Sequence, residues 1–399
     1  MSKHLISIIP LIFGLIIGGW LVYLNLQFIE NFNPIVTKRE VQQNSATPEP
    51  KIKNVKMNTL WFGDVFWGRY VDDWAKASEL KTTYPFSGLS TFDRDKYDAW
   101  NADMECPITT TYRDSETQDS DLKFSCPPEY TPEAAKWFDA FTLANNHTDN
   151  MEEVKGLEQT RTILEKNKIQ YFGSFDNSVK KDICEIVSLP ARYEYDNSQI
   201  KKLNFPVVLC GYHNVFRLPK EDELAVIAEY SKYLPTFVMP HQGKEYTTVA
   251  DELQTEFYRK MIDQGADAVI GDHVHSVQNT EVYKNKLIVY SLGNFIFDQQ
   301  ASPGVREAFG LNLDIKFTNE NNLEEYQKLS EECKQFQDQC LSKAKSLELK
   351  KPKFSINYDI VPTDNSNKLA KKATNQDTID RIYRITNWTE TKKKLDNKK

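Results

Sequence analysis

The chain has 399 residues, 40% of them hydrophobic and 27% charged, which is ordinary for a globular protein with a substantial core. This length fits either two domains or one α/β unit of about 300 residues. A net charge of −7 argues against nucleic acid as a partner, and it gives no general attraction for an anionic polymer either. The six cysteines include no C-x-x-C pair, which argues against a zinc ribbon or a thioredoxin-type site.

The amino-terminal segment 5–29 contains no charged side chain, and about 20 apolar residues suffice to cross a bilayer. Trp20 and Tyr23 lie toward its outer end, as interfacial aromatic residues do. A cleaved signal peptide is the alternative, but the run is long and no small-x-small cleavage site follows it. We therefore predict an uncleaved membrane anchor over residues 1–29. Lys3 gives a weak charge bias that places the remainder outside the cytoplasm.

The next segment, residues 30–57, is rich in Gln, Asn, Pro and charge, and we predict a flexible stalk. A folded domain is predicted over residues 58–364. It opens with a strand at 58–62 that leads into Gly63 and Asp64. The carboxyl end of a strand is where α/β folds place reactive groups, although an Asp there can equally cap a turn.

Residues 110–123 are polar and lack a hydrophobic period, which predicts an exposed loop. Cys106 and Cys126 flank this loop. In an oxidising compartment, a disulfide bond between them could close it.

A helix is predicted over residues 132–141 from the spacing of its apolar side chains. It leads to Asn146 and His147, a pair that could also be an ordinary polar turn. A second helix and two strand-like runs follow, at 156–166, 183–189 and 205–210.

Two further apolar runs end in histidine. Residues 236–240 lead to His241, and residues 268–270 lead to His273-Val274-His275. In extended backbone, side chains two residues apart point to the same side, so both imidazoles of the second segment can face one centre. Imidazole is a common ligand for zinc, iron and manganese, although two histidines on a loop are as often plain surface.

Beyond residue 302, the pattern of apolar runs that end in polar residues becomes weaker. Residues 323–351 indicate a charged helical insertion, and residues 365–399 a polar, Lys-rich and solvated carboxyl-terminal tail. Cys333 and Cys340 are seven residues apart. Two turns of helix rise about 10 Å, too far for a disulfide bond within one straight helix.

Five motifs resemble, in order, those of the CapA family of poly-gamma-glutamate capsule proteins, over residues 58–317. They are GDVFWGR from Gly63, D-M-E-C-P-I-T from Asp103 to Thr109, A-N-N-H ending at His147, H-Q-G-K-E-Y from His241, and G-D-H-V-H followed by Y-S-L-G-N-F. The chain departs from the usual pattern at Phe66, where a typical metallophosphatase has His, and at Asp103, Gln242, Asp272 and Val274, where the family usually has Asn, Trp, His and Pro.

The resemblance implies a four-layer metallophosphatase-like sandwich, in which two mixed β-sheets are flanked by helices, behind one amino-terminal transmembrane helix. It implies divalent metal ions, with Mn, Fe and Zn all compatible, and no other cofactor. The implied ligands are Asp64, Glu105, Asn146, His241, His273 and His275. His147 is implied to face the substrate and to donate a proton to a leaving group.

Two functions follow from the resemblance. The first is a membrane-anchored, extracytoplasmic CapA-type protein with a metal centre. It would act with synthase components in the synthesis or export of poly-gamma-glutamate or a related capsule polymer. The second is a metal-dependent phosphoesterase-like hydrolase acting on a phosphoester or a surface polymer. The complete ligand set favours metal chemistry over a scaffold, while the departures at Gln242 and Val274 leave the substrate open.

Overall fold

The computed structural model describes residues 50–318, 322–333 and 337–397. Within these ranges, none of the helices combines the length and the apolar character that a bilayer crossing requires. The predicted anchor, residues 1–29, lies outside the described residues, and so does most of the predicted stalk.

The described residues form strands and helices over most of their length. The strands are β1 (Ile52–Val65), β2 (Ala99–Met104), β3 (Ala140–Thr142), β4 (Gln170–Phe172), β5 (Cys184–Tyr195), β6 (Ile200–His213), β7 (Thr236–His241), β8 (Ala268–Ile270), β9 (Thr280–Tyr283), β10 (Lys286–Val289), β11 (Asn294–Ile296), β12 (Glu307–Thr318), β13 (Phe354–Asp364) and β14 (Lys371–Lys372). The α-helices are α1 (Arg69–Ala77), α2 (Ser115–Asp121), α3 (Thr131–Ala134), α4 (Val154–Lys166), α5 (Glu221–Tyr230), α6 (Glu252–Asp263), α7 (Pro303–Arg306), α8 (Leu323–Glu332), α9 (Gln337–Ser346), α10 (Gln376–Thr386) and α11 (Trp388–Asp396).

Strand β1 is shared by two branches of the sheet. It pairs antiparallel with β5 over residues 52–56 and with β12 over residues 54–61. It pairs in parallel with β2 over residues 59–65 and with β11 over residues 64–65. Side chains alternate across the strand, so Trp61 packs in one hydrophobic core while Leu60 and Phe62 pack in another. Both cores therefore depend on this one strand.

The folded domain begins earlier than the sequence predicts. β1 starts at Ile52, inside the segment predicted to be a stalk, and Ile52, Val55 and Met57 are buried. Lys and Asn residues separate these apolar side chains, which gives the segment the composition of a linker. Their burial comes from pairing with β5 and β12, strands far away in the sequence.

The strands of the described residues join in one mixed sheet of fourteen, with helices packed around it. The main path runs β14-β13-β12-β1-β5-β6-β7-β8-β10-β9, and the branch from β1 runs through β2, β3 and β4. The pairs β1–β2, β2–β3, β6–β7 and β7–β8 are parallel. The fold class is thus mixed α/β, as predicted, while the division into two sheets and four layers stays a prediction.

The carboxyl ends of four strands carry the polar residues of interest. Asp64, near the end of β1, lies opposite Asp103 in β2, and Asp272, just after β8, bridges to His241 at the end of β7. Parallel strands leave their carboxyl ends open to loops and ligands. The topology therefore brings distant segments together at one place.

The carboxyl-terminal region differs from the solvated tail predicted over 365–399. Residues 371–396 form β14, α10 and α11, with Ile382 and Trp388 buried in the core. Thr280 of β9 donates a hydrogen bond to the carbonyl of Thr386 at 2.8 Å. A few well-spaced apolar residues are enough to dock these short helices, although the overall composition is polar.

The predicted insertion at 323–351 is helical, but it is not one straight helix. Helix α8 ends at Glu332 and α9 begins at Gln337. Cys333 and Cys340 are both buried, and Sγ of Cys340 lies 3.7 Å from the carbonyl oxygen of Cys333. The seven-residue spacing therefore does not separate them by two turns of one helix.

Two disulfide bonds cross-link the domain. The bond between Cys106 and Cys126 is present as predicted, and the segment that it closes contains helix α2 in addition to loop. A second bond joins Cys184 of β5 to Cys210 of β6, which face each other across the antiparallel pair. This second bond was not predicted from the sequence.

Candidate metal centre

The predicted ligands come from distant segments and meet in one buried cluster. Potential ligand atoms of Glu105, His241 and His273 lie within 4.8 Å of one another, and so do those of Asp64, Glu105 and His275. Glu105 belongs to both groups, and all five side chains are buried. Carboxylate and imidazole groups in such a set suit borderline divalent ions.

Asp64 reaches the cluster because β1 closely approaches the turn that carries Gly293. A Cβ atom on Gly63 would lie 2.3 Å from the carbonyl oxygen of Gly293, so only glycine fits there. The Asp64 carboxylate accepts a hydrogen bond from the backbone N–H of His273 at 3.3 Å, and it lies 3.1 Å from Nδ1 of His275. Asp64 therefore holds the histidine loop against the end of β1.

Glu105 is the central carboxylate of the cluster. Its Oε1 lies 3.7 Å from Nε2 of His241, 3.7 Å from Nε2 of His275 and 3.9 Å from Nε2 of His147. Neither oxygen has a hydrogen-bond partner among the described residues, and the side chain is 0% exposed. Burial and the nearby charge of Asp64 raise the pKa of Glu105 well above its usual value. A buried carboxylate without a donor is unfavourable unless a cation balances it, and so these residues fit a metal ion.

His241 presents its two ring nitrogens to different surroundings. Its Nε2 lies 2.7 Å from Oδ1 of Asn146 and 3.1 Å from Nδ1 of His273, so two other predicted ligands meet His241 at this side of the ring. Its Nδ1 lies 3.0 Å from a carboxylate oxygen of Asp103 and 3.0 Å from one of Asp272. Burial lowers the pKa of His241, but these two carboxylates outweigh burial and raise it well above its usual value.

The backbone of the H-x-H segment is not extended, and this part of the prediction is wrong. His273 has φ of +85° and His275 has φ of +58°, a left-handed region that residues other than glycine seldom adopt. The loop wraps around Asp64, and the two imidazole rings still face one cluster, with centroids 6.1 Å apart. Backbone strain of this kind persists where surrounding contacts enforce it, and it is typical of functional sites.

His147 lies at the edge of the cluster and stacks on Phe124, with ring centroids 3.9 Å apart. Oδ1 of Asn150 accepts the backbone N–H of Phe124 and lies 2.8 Å from Nδ1 of His147, so Nδ1 carries the ring proton. Burial lowers the pKa of His147 to about 3. Burial therefore keeps the ring neutral, with the unprotonated Nε2 on the side of Glu105. The predicted role as a proton donor stays a prediction and requires a proton collected at that nitrogen.

Two asparagines, neither of them a predicted site residue, contact side chains of the cluster. Oδ1 of Asn294 lies 2.9 Å from Nδ1 of His275, which leaves Nε2 of that ring facing Glu105. Asn145 donates from Nδ2 to Asp103 at 2.9 Å. Their position in the sequence, beside a predicted ligand or inside the Y-S-L-G-N-F turn, is the signal that could have identified them.

The mixed sheet and the buried cluster at its strand ends define an α/β protein with a candidate metal centre. The chain belongs to the family described as bacterial capsule synthesis protein PGA_cap, whose model matches residues 58–192 and 224–299. The predicted family is thereby confirmed. Both matched segments contain predicted ligands, with Asp64, Glu105 and Asn146 in the first and the three histidines in the second.

Curated relatives carry the same association with capsules. The chain is 27% identical to capsule biosynthesis protein CapA of Bacillus anthracis over 285 residues, which cover 65% of this chain and 64% of that protein. It is 28% identical to PGA biosynthesis protein CapA of Bacillus subtilis (strain 168) over 265 residues, which cover 63% and 66%. The chain thus spans slightly less than two thirds of the length of these relatives.

Among solved structures, the chain is similar to the crystal structure of TT1561 of Thermus thermophilus. The TM-score is 0.35 at 10% identity, over 65% of this chain and 94% of the other. A likeness this distant carries no argument about function.

Proposed function

We propose that the protein acts in the synthesis or export of an anionic capsule polymer, of the poly-gamma-glutamate type or a related one, through a divalent-metal centre on an extracytoplasmic domain. The family and the printed names of its relatives support the link to capsule formation. The observation that carries the metal centre is Glu105, a fully buried carboxylate with no hydrogen-bond donor among the described residues and three imidazole nitrogens within 3.9 Å.

The charge of the cluster supports the same proposal. Four carboxylates, those of Asp64, Asp103, Glu105 and Asp272, are fully buried there. Within the described part of the chain, none of the four forms an ion pair with a lysine or an arginine. One or two divalent ions, held by Asp64, Glu105, Asn146, His241, His273 and His275, would balance this negative charge.

The surrounding residues would prepare such a centre for chemistry. A divalent ion, when bound, supplies Lewis-acid polarisation of a substrate oxygen. Asn294 directs Nε2 of His275 toward Glu105, and Asn150 directs Nε2 of His147 to the same side. His147 would accept a proton at Nε2 from an attacking group and return it to a leaving group.

The position of His147 favours a second candidate function, a metal-dependent hydrolase of a phosphoester or a surface polymer. A purely structural role does not require a buried, unprotonated Nε2 of His147 at 3.9 Å from Oε1 of Glu105. The two functions are compatible, since a capsule protein can act by hydrolysis.

Membrane attachment through residues 1–29 and an extracytoplasmic domain are part of the proposal. The two disulfide bonds support an oxidising location, because such bonds persist outside the cytoplasm. The four-layer, two-sheet architecture is proposed as well. The two separate cores on either side of β1 support it.

The metal content of the purified protein tests the centre. The double substitution His273→Ala with His275→Ala should remove stoichiometric metal in an elemental analysis. His213→Ala is the matched control, because His213 is also a buried histidine at the end of a strand, but its Nδ1 donates to the carbonyl of Phe175. Full metal occupancy in the double variant would show that the centre lies elsewhere.

Polymer output tests the function. A strain that carries the double variant should lose capsule polymer, and the His213→Ala strain should keep it. Normal polymer from a strain whose protein contains no metal would refute a metal-dependent role in capsule formation.

A further inference from the structure

Two buried carboxylates flank the ring nitrogen of His241 that faces away from the other predicted ligands. Oδ2 of Asp103 and Oδ1 of Asp272 each lie 3.0 Å from Nδ1, and of these two oxygens only Oδ1 of Asp272 forms a hydrogen bond with the ring. The backbone reinforces one of these contacts, since Asp272 bridges to His241 and its N–H donates to the carbonyl of Pro240 at 3.3 Å. Asp103 reaches the ring from β2, and Asp272 reaches it from the segment just after β8.

The two carboxylates are not equivalent. Asp103 is fixed on its other side by Nδ2 of Asn145, which donates to Oδ1 at 2.9 Å. Oδ2 of Asp272 has no hydrogen-bond partner among the described residues, although Asp272 is 0% exposed. One N–H group needs only one acceptor to fix the orientation of the ring. Asp272 supplies that acceptor, so the second buried carboxylate, that of Asp103, is more than the orientation of the ring requires.

The opposite ring nitrogen is the one directed at the predicted ligands. Nε2 of His241 lies 2.7 Å from Oδ1 of Asn146, 3.1 Å from Nδ1 of His273 and 3.7 Å from Oε1 of Glu105. A proton held at Nδ1 by carboxylates leaves Nε2 as the coordinating atom. A carboxylate on the far nitrogen also raises the basicity of a coordinating imidazole.

We infer that Asp103 and Asp272 are paired positioning residues of the metal centre, which fix the tautomer of His241 and increase its affinity for a divalent cation through Nε2. This inference rests on the proposed metal centre. Ligand atoms of the two aspartates also lie within 4.8 Å of those of Asp64 and His241, but the inferred role is exerted through the ring and not by coordination. They act through the imidazole, from the side opposite Asn146 and Glu105.

Metal affinity, measured by competition with a chelator on the full chain, tests the pair. Asp272→Asn keeps an acceptor for the N–H and removes the charge, whereas Asp272→Ala removes both. Loss of a partner of this kind typically weakens metal binding by roughly 10–100-fold, and we expect Asp272→Ala to weaken it more than Asp272→Asn. Asp103→Asn should fall in the same range, with the number of bound ions at saturation unchanged.

Asp182→Asn is the matched control, because Asp182 is a buried aspartate that pairs with Arg161 at 2.9 Å and with none of the cluster residues. It should leave metal affinity unchanged. The melting temperature of each chelated variant separates the proposed role from a structural one. A structural role would lower that temperature without changing the affinity of the folded protein for metal.

Three outcomes would overturn the inference while leaving the metal centre intact. They are wild-type affinity in both Asp272 variants, a loss of one bound ion at saturation, which would make the aspartates ligands, and an equal loss of affinity in Asp182→Asn. Absence of metal from the wild-type protein is distinct, because it would refute the proposed function itself.

Discussion

Glu105→Gln should have opposite effects on metal binding and on the stability of the metal-free protein. The substitution keeps the size of the side chain and removes the charge from the carboxylate that two groups of candidate ligands share. Metal binding should therefore be lost. In the metal-free state, the glutamine avoids the burial of a carboxyl group that has no hydrogen-bond partner among the described residues, and its amide can donate to the ring nitrogens around it.

The size of the stabilisation follows from the surroundings of the carboxylate. Relief of one buried, unsatisfied polar group is worth about 1–3 kcal/mol. The described residues number roughly 340, and about 2.1 cal/mol/K per residue gives an unfolding entropy of roughly 0.7 kcal/mol/K. The melting temperature of the metal-free protein should then rise by about 1.5–4 °C.

The gain should depend on pH, because the pKa of Glu105 is raised in the folded state. Below the unfolded pKa of about 4.3, the carboxyl group is protonated in both the folded and the unfolded chain. At such a pH, the substitution therefore adds little to the stability of the metal-free protein. As the pH rises, the unfolded chain ionises first, the wild type loses stability, and the advantage of glutamine grows.

Thermal unfolding of chelated protein at pH 4.5 and pH 8 measures this difference. Glu223→Gln is the control, because Glu223 is also buried but accepts hydrogen bonds from Arg217 and from the backbone of Lys220. That change should lower the melting temperature. A Glu105→Gln protein that still binds metal, or that melts below wild type at pH 8 without metal, would refute the reasoning.

Burial lowers the pKa of His275, but Glu105 and Asp64 outweigh it and raise the pKa to about 9, so protons should compete with metal at this site. Metal affinity should weaken roughly tenfold per unit below pH 9 in chelator competition, and a flat profile would contradict this. His147→Ala should cut turnover by roughly 10²–10⁴-fold if the protein is a hydrolase, with metal content unchanged, and normal capsule in that strain would argue against catalysis at this site. Serine at both Cys184 and Cys210 should lower the free energy of unfolding by roughly 3–4 kcal/mol in a denaturant titration, and no change would show that the bond is not formed. A reporter at the carboxyl terminus should be active only outside the cytoplasm, and a soluble product cleaved near residue 30 would contradict the anchor.

The positions of the candidate ligands could be predicted because local sequence marks them. Asp64, His241 and His273 each follow an apolar run, and the topology of parallel strands brings such ends together. The left-handed backbone at His273 and His275 could not be predicted, because neither residue type favours it and only tertiary contacts enforce it.

Long-range pairing limited the remaining predictions. The bond between Cys184 and Cys210 depends on the register of β5 with β6, which no local pattern specifies. Ile52 lies in a segment with the composition of a linker, and Trp388 in one with the composition of a tail. Each is buried by strands or helices distant in the sequence. Composition alone therefore misplaces both the start and the end of the folded domain.

The shared strand β1 has a consequence for how the protein opens. Local fluctuations release elements that few neighbours hold, whereas β1 is bonded to β2, β5, β11 and β12 at once. The backbone amides in the centre of β1 should therefore exchange their hydrogens with solvent only through global unfolding. The backbone around Asp64, near the end of the same strand, should be protected in the same way. The loop that carries His273 and His275 is tied to this slowest-exchanging strand through Asp64. The centre should thus stay assembled while the edges of the sheet fray.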